Sequence, residues 1–519
     1  MSKTYLTQAL HRAKRQYPDR LATIFGERKK TYAEIVDRVA RLAGALQQLG
    51  MGPGDRVGVL SLNSDRYLEL YFAIWWGGGV VNPVNIRWSP AEISYSLDNC
   101  QTHILVVDDT FVPMVEGLSE RSQALRTVIH ASDSEARSGM FDYERLIAEH
   151  APVPDAMRCN SDLAGVYYTG GTTGFPKGVM LSHDNLHSGG LVTLLEGMSS
   201  EGDVGLHAAP MFHLADGMFT LSLSMRGCTQ VIIPMFQVES VLRAIENHKV
   251  TAALFVPTMI QMLVDATTLS QYRLYSLKRI FYGASPISEG LLDRTMQYLP
   301  GVEFTQAYGQ TEASAVVSIL HDKFHRGLGR KLRSAGRPSD SVEIKIVNSD
   351  GEEVAHGTVG EIAVRSAGVM LGYWNNEAQT AAVLKDGWLL TGDGAYMDDD
   401  GFIFIVDRVK DMIVSGGENV YSAEVENAIS QHPAIATCAV IGIPSEQWGE
   451  SVHAVVVCKA GAKIPTAAEL QSHCQTLIAG YKCPRSLEVR EALPLSGAGK
   501  VMKIELRAPH WREQQRRVG

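Results

Sequence analysis

Apolar positions recur at helical spacing in TYAEIVDRVARLAGALQQLG. Ile35, Val39, Leu42, Leu46 and Leu49 fall on one face, and Gly50 stands where a helix-ending glycine belongs. The pattern then alternates: RVGVLSL predicts a strand, SDRYLELYFAIWW a helix, PAEISYSL another helix and HILVVDD another strand. Repeated units of this kind predict an α/β fold in which mainly parallel sheets are covered by helices. LAGVYYT, TAALFVP and RIFYGAS read as further buried strands, each running into a loop of small residues. Ligands collect at the carboxyl ends of strands in such sheets, so these three loops are candidates for one site.

From about residue 340 the rhythm changes. SVEIKIV, GEIAVRS and GFIFIVDR are closely spaced strands separated by Gly and Asp turns, which predicts a small β-rich region over about 340–407 at the end of an N-terminal domain, 1–407. A fresh α+β pattern follows: SAEVENAISQH as a helix, AIATCAVIGI and SVHAVVVCKA as strands, then a helix around Leu470 to Ile478. The boundary is expected near Asp407 to Asp411, with residues 408–411 as a hinge and 412–519 as a small C-terminal domain.

Composition narrows the function classes. A chain of 519 residues is too long for one ordinary core, and 45% hydrophobic with 20% charged residues is a globular balance. A formal net charge of -9 argues against binding nucleic acid by bulk electrostatics. The longest apolar stretch, LYFAIWWGGGVV, is broken by glycines and reads as a buried helix entering a strand, not a membrane span. The N-terminus carries no signal-peptide core, and the 7 cysteines are scattered with no C-x-x-C pair, so a reducing cytoplasm is expected. Oligomeric state is not legible, and a homodimer is allowed.

The stretch YYTGGTTGFPKG concentrates flexible backbone, hydroxyls and one cation. Gly170, Gly171 and Gly174 permit close approach, Thr169, Thr172, Thr173 and the amides can donate to anionic oxygens, and Lys177 supplies charge. This suits a polyphosphate, although the lysine lacks the preceding Gly and following Ser or Thr of the Walker pattern. His183 and His187 have i, i+4 spacing without a further ligand, so metal binding there is discounted. MDDDG (397–401) reads as a hairpin turn, and YRLYSLKR as a surface helix.

YTGGTTGFPKG closely resembles the phosphate-loop signature of the adenylate-forming superfamily of acyl-CoA synthetases, insect luciferases and peptide-synthetase adenylation domains. PMFH (210–213), YGAS (282–285), AYGQTE (307–312), TGD (391–393), DRVKDMIVSGGENVYSAEVE (407–426) and LPLSGAGK (493–500) resemble that family's further motifs, in its order. The resemblance implies two half-reactions: a carboxylate attacks the α-phosphate of ATP to give an acyl-adenylate and pyrophosphate, and a thiol then displaces AMP. It implies Lys500 as the catalytic lysine, Glu312 as the magnesium ligand, and Thr311 and Thr169 as phosphate contacts. By the same resemblance Tyr308, followed by Gly309, would stack on adenine beside Gly283, Ala284 and Ser285. Asp393 would take the ribose with Arg408 assisting, and His213 would lie at the reacting end of the substrate. The resemblance further implies Lys410 as the hinge about which the C-terminal domain rotates, with Gly416, Gly417 and Glu418 lining the route of coenzyme A. Lys482 and Arg485 are candidates for its phosphates.

Amino-acid-activating relatives carry an aspartate where this chain has His213, which disfavours an ammonium-bearing substrate; Asp216 nearby reads as a turn or cap of a helix beginning near Gly217. Phe212, Leu214, Ala215, Phe219, Ala313 and Val316 offer an apolar pocket. Gly217 stands where some long-chain enzymes place an aromatic gate. The expectation is an ATP- and magnesium-dependent acyl-CoA synthetase for a medium- or long-chain fatty acid. An aryl-acid (4-coumarate/ferulate-like) ligase is the alternative, and a luciferase-like oxygenase a more distant one.

Overall fold

The computed structural model describes residues 3–169, 176–285, 287–326, 331–408, 411–415, 418–445, 447–495 and 501–515. Two large sheets carry the first part of the chain. In the eight-stranded one, the parallel strands Arg56–Leu60, Val80–Pro83, Ile104–Asp108 and Thr127–Ala131 are joined by an antiparallel hairpin, Leu163–Thr169 and Lys177–Ser182. In the nine-stranded one, Val204–His207, Thr229–Ile232, Ala252–Phe255, Arg279–Gly283 and Glu303–Tyr308 run parallel.

Helices between these sheets form as the periodicity predicts. Tyr32–Gln48 opens with a Thr31–Glu34 capping box, in which side chains and backbone satisfy each other's orphan amides, and Gly50 beyond its end takes φ +100°. Ile35, Val39, Leu42 and Leu46 are fully buried, worth about 1.5–3 kcal/mol each as an upper estimate. Asp65–Trp76 is buried along its whole length. It continues through Gly77–Gly79 into the strand Val80–Pro83, the helix-into-strand expected of the longest apolar run. One core joins both helices to Val57, Val59 and Val81 of one sheet and to Ala22 and Ile232 flanking the other.

A buried ionic lattice ties the two helices to their neighbours. Asp65, in the first turn of its helix, accepts from Arg28 at 2.8 Å and from Lys30; Glu69 accepts from Arg38 Nε at 2.7 Å and from the Tyr143 hydroxyl at 2.9 Å. Arg66 reaches Glu144 and Asp133. Both acids on the helix are sealed from solvent, so each needs these partners to remain charged.

The β-rich segment is as expected, with Glu343–Val347, Gly360–Arg365, Trp388–Met397 and Ile403–Arg408 in one antiparallel sheet. MDDDG is its hairpin turn, where Asp398 takes Lys331 at 2.8 Å. Residues from Ile413 onward pack on cores of their own, around a sheet of Ile413–Ser415, Glu418–Val420, Ile435–Ser445, Gly449–Cys458 and Ser486–Val489. YRLYSLKR is not a helix. Leu274 and Leu277 dip into the core at a spacing that mimics one, but the backbone there turns, with Leu277 N donating to Leu274 O. No helix among the described residues is long and apolar enough to cross a membrane.

Candidate active site

The candidate loops follow strands of two different sheets, one after Leu163–Thr169 and the others after the neighbouring parallel strands Ala252–Phe255 and Arg279–Gly283. Thr169 and Lys177 are the last register pair of the hairpin, so the loop between them is closed at its base by strand pairing. Gly170, Gly171, Thr172, Thr173 and Gly174 lie outside the described residues. The Lys177 Nζ sits 5.2 Å from the ring centre of Tyr373, a residue the sequence reading did not single out.

Tyr373 belongs to a two-residue strand, Gly372–Tyr373, that pairs antiparallel with Val179 and Met180 just beyond Lys177. Its hydroxyl donates to Glu312 Oε1 at 3.0 Å. Burial first, and then the Glu312 charge, raise the Tyr373 phenol well above its ordinary value, so it stays a donor. Glu312 itself is half-buried in the short 3₁₀ turn Thr311–Ala313, and its carbonyl accepts from Met370 N at 2.9 Å.

Close backbone contacts set the neighbouring wall. A Cβ on Gly283 would fall 2.1 Å from the Ala307 carbonyl, and one on Gly309 would fall 1.6 Å from the Ala315 carbonyl, so glycine is required at both. Ala284, Ser314 and Ala315 all take positive φ (66°, 55° and 79°), a conformation costing about 1–3 kcal/mol each and typical of functional sites. Ser285 completes this edge, half-buried, while Ala284 is exposed.

Tyr308 ends the strand beside Gly283, and its hydroxyl donates to Asp393 Oδ2 at 2.7 Å. Asp393 does not sit in a turn: it lies within the strand Trp388–Met397, opposite Arg408, after Gly392 at φ +74°. Tyr308, Asp393, Glu312, Tyr373, Lys177 and Thr169 stand on five strands and a turn, in two bonded groups: Tyr308 with Asp393, and Glu312 with Tyr373 beside the Lys177–Thr169 pair. Lys500, Lys410, Gly416 and Gly417 lie outside the described residues. Glu418 is exposed at the start of its strand. Lys482 is engaged by Glu424 at 2.7 Å, and Arg485 donates to Ser415 Oγ at 2.8 Å while lying over Trp448.

The helix after PMFH begins at Leu214, earlier than expected, with His213 as its half-buried N-cap position. Asp216 is not a cap. It is sealed inside and bonded to His207 Nδ1 at 2.7 Å. Ser224 Oγ donates to Thr220 O, so it accepts from the Gln230 amide nitrogen, which leaves Gln230 Oε1 to take the proton on His207 Nε2. Asp216 is thus committed to His207 in the interior.

The apolar pocket candidates divide. Phe212, Leu214 and Ala313 share the main core with Tyr67 and Tyr71; Val316 packs with Val192 and Ile319; Phe219 packs with Leu223 and Phe281. Leu214 and Phe219 are five residues apart, about 140° around a helix, so they cannot line one surface. Ala215 is half-buried. A Cβ on Gly217 would meet the hydroxyl of Tyr71 at 3.5 Å. Tyr71 itself donates to Met211 O at 2.9 Å and packs between Tyr67 and Trp75, with ring centres 5.4 Å away on each side.

His183 and His187 do lie on one helix, His183–Leu195, but burial holds His183 down at about 4 and its Nδ1 accepts from Leu6 N. All 7 cysteines are free thiols.

This arrangement of sheets and loops is that of an adenylate-forming enzyme. Residues 10–374 match the family model of the AMP-binding enzymes, and residues 424–500 match that of the AMP-binding enzyme C-terminal domain. The chain belongs to this family. It is 38% identical over 497 residues to a feruloyl-CoA synthase of Amycolatopsis sp, covering 96% of this chain and 97% of the relative. It is 33% identical over 537 residues to a medium/long-chain-fatty-acid–CoA ligase of Mycobacterium tuberculosis, covering 100% and 92%. Among solved structures it is similar to o-succinylbenzoate CoA synthetase of Bacillus subtilis bound to its acyl-adenylate, with TM-score 0.85, 30% identity and 97% and 98% coverage. That enzyme has also been solved with ATP and a magnesium ion. The chain is an AMP-forming acid–CoA ligase working through an acyl-adenylate.

Proposed function

We propose that this ligase activates an aryl carboxylic acid of the phenylpropenoate type and passes it to coenzyme A. The observation that carries this reading is the Tyr71 hydroxyl, 3.5 Å from where a Gly217 side chain would begin. The space an aromatic gate would take is backed by Tyr71, held between Tyr67 and Trp75 with their rings tilted 51° and 34° to its own, a rigid aromatic wall that suits a ring better than a flexible chain. The 38% identity to a feruloyl-CoA synthase supports it. A medium- or long-chain fatty acid, the preference drawn from sequence, is the second reading, supported by the 33% identity to a fatty-acid ligase.

In this reading, ATP lies across these two bonded groups of residues. Thr169, Lys177 and the 170–175 loop take the β- and γ-phosphates, Thr311 the α-phosphate, Tyr308 the adenine and Asp393 the ribose. Glu312 fits magnesium, a hard cation: it offers a half-buried carboxylate already oriented through Oε1 by Tyr373. When bound, the ion would draw charge from the phosphates as pyrophosphate leaves. Attack of one anion on another needs neutralisation aimed at the reacting centre, which is the role we give Lys500. The C-terminal segment, 412–519, then turns about Lys410, taking Lys500 out and bringing Gly416, Gly417 and Glu418 to the thiol's path.

The test is a panel of aliphatic and aryl acids, scored by pyrophosphate release and by mass of the product with and without coenzyme A. Thioesters of aryl acids at a higher kcat/KM than any aliphatic acid uphold the proposal. Preference for a straight-chain acid overturns it in favour of the second reading, and pyrophosphate without thioester would require another acceptor.

A further inference from the structure

The C-terminal sheet carries a cluster to which the proposed reaction assigns no role. His453 lies on the strand Gly449–Cys458, whose Val452, Ala454 and Val456 face one core; His453 therefore faces the other side, which the Lys503–Gln515 helix covers through Leu506. The parallel neighbour Ser486–Val489 puts Ser486 opposite His453 and Glu488 two residues on, on the same face. His510, one turn beyond Leu506, comes down onto them, its ring centre 5.1 Å from that of His453. One ligand atom from each of His453, Glu488 and His510 lies within 4.8 Å of the other two.

The chemistry of these atoms is that of a ligand set. His453 is nearly sealed, with 7% of its side chain exposed, and its Nε2 has no hydrogen-bond partner. Leaving such a nitrogen unsatisfied is costly unless something else occupies its lone pair. Its Nδ1 lies 2.7 Å from Ser486 Oγ. Donation from Nδ1–H to that oxygen fixes the tautomer with the lone pair on Nε2, the arrangement by which ligating histidines are held. Glu488 Oε1 accepts from Arg490 at 2.5 Å, and Oε2 stands 3.8 Å from His453 Nε2. Arg490 is the cation beside the cluster, and it is already spent on the other carboxylate oxygen. Trp511 donates to Gly442 O at 3.2 Å and holds the helix down next to His510.

We propose that His453, Glu488 and His510 bind a first-row divalent cation of the zinc type. Two imidazoles and a carboxylate are borderline-soft donors that suit zinc rather than magnesium, and three protein ligands leave a fourth position for water. Bonds of about 2.0–2.2 Å require the half-exposed Glu488 and His510 to move inward by about 1 Å, while His453 stays as the anchor. The ion would clamp the Lys503–Gln515 helix to this sheet.

The test uses the tag-free full-length chain, stripped with chelator and titrated with Zn²⁺, and in parallel with Co²⁺, in buffer without magnesium or nucleotide. We expect one zinc per chain to survive gel filtration and the visible absorption bands of a low-coordinate Co²⁺ complex. His510→Ala and Glu488→Gln, both at half-exposed positions, should each weaken binding by roughly tenfold or more while keeping the parent's circular dichroism. His432→Ala, in the separate His432–His473 pair, should leave it unchanged. Failure to retain zinc, equal affinity in His510→Ala, or loss in His432→Ala overturns the proposal.

Discussion

The hydroxyl of Tyr373 holds Glu312 while the face of the same ring lies under Lys177. One aromatic thereby spaces the expected magnesium ligand from the expected phosphate lysine. Tyr373→Phe keeps the ring and deletes the bond. A hydrogen bond to a charged group is worth about 1.5–3 kcal/mol, so adenylation should fall by about tenfold or more. The loss should appear as a raised magnesium requirement in pyrophosphate-release assays, with the melting temperature little changed. An unaltered magnesium dependence would show that Glu312 is positioned by something else.

Gly217 sits in a helix interior with room for one methyl group, since its Cβ would be in ordinary contact with Tyr71. Gly217→Ala should therefore stabilise the protein by about 1 kcal/mol through helix propensity, measured by chemical denaturation. Gly217→Phe has to displace Tyr71, and kcat/KM for the preferred acid should drop steeply. A Gly217→Phe enzyme with parental kinetics would remove Tyr71 from the acyl pocket.

Asp65 makes stability depend on acid. Burial pushes its carboxyl up, but the bonds and charges of Arg28 and Lys30 outweigh burial and bring it down to about 2. A carboxyl lowered on folding contributes stability that is complete above its unfolded value of about 4 and is lost as pH falls toward 2. Unfolding free energy measured in urea should fall across that window. Asp65→Asn should flatten the slope and cost about 3 kcal/mol at neutral pH, because it leaves the half-buried Arg28 and Lys30 short of a fully buried partner. A parental slope in the variant would assign the acid sensitivity to other groups.

Lys500→Ala should abolish adenylation, read as pyrophosphate release, yet preserve thioester formation from supplied acyl-adenylate. If both halves survive, the charge at the α-phosphate comes from another residue.

The helix Tyr32–Gln48 was legible because one of its faces is polar, and the strands before the candidate loops because their apolar runs are short and end at glycine or proline. Asp65–Trp76 could be read as a helix but not oriented: with every residue buried, its pattern has no dry side and wet side. Phe219 read as pocket because composition carries no angle; on the helix it turns toward a different core. YRLYSLKR read as a surface helix because its basic and aromatic residues interleave, whereas the half-buried Leu274 and buried Leu277 sit on a turning backbone. Tyr373 left no local signal, since its role comes from pairing with Val179, far back in the chain. The committed state of Asp216 was likewise invisible, as it depends on Gln230 and Ser224 fixing which way an amide points.

The pairing of Gly372–Tyr373 with Val179 and Met180 also sets a clock. A ribosome adding roughly 5–20 residues per second needs about 10–40 s between making Val179 and making Tyr373. Throughout that interval the edge of the eight-stranded sheet stands unpaired, and from its own synthesis until Tyr373 appears Glu312 lacks that donor. A nascent chain halted before residue 373 would thus be both inactive and sticky, and it is there, on one exposed strand, that a chaperone would have most to shield.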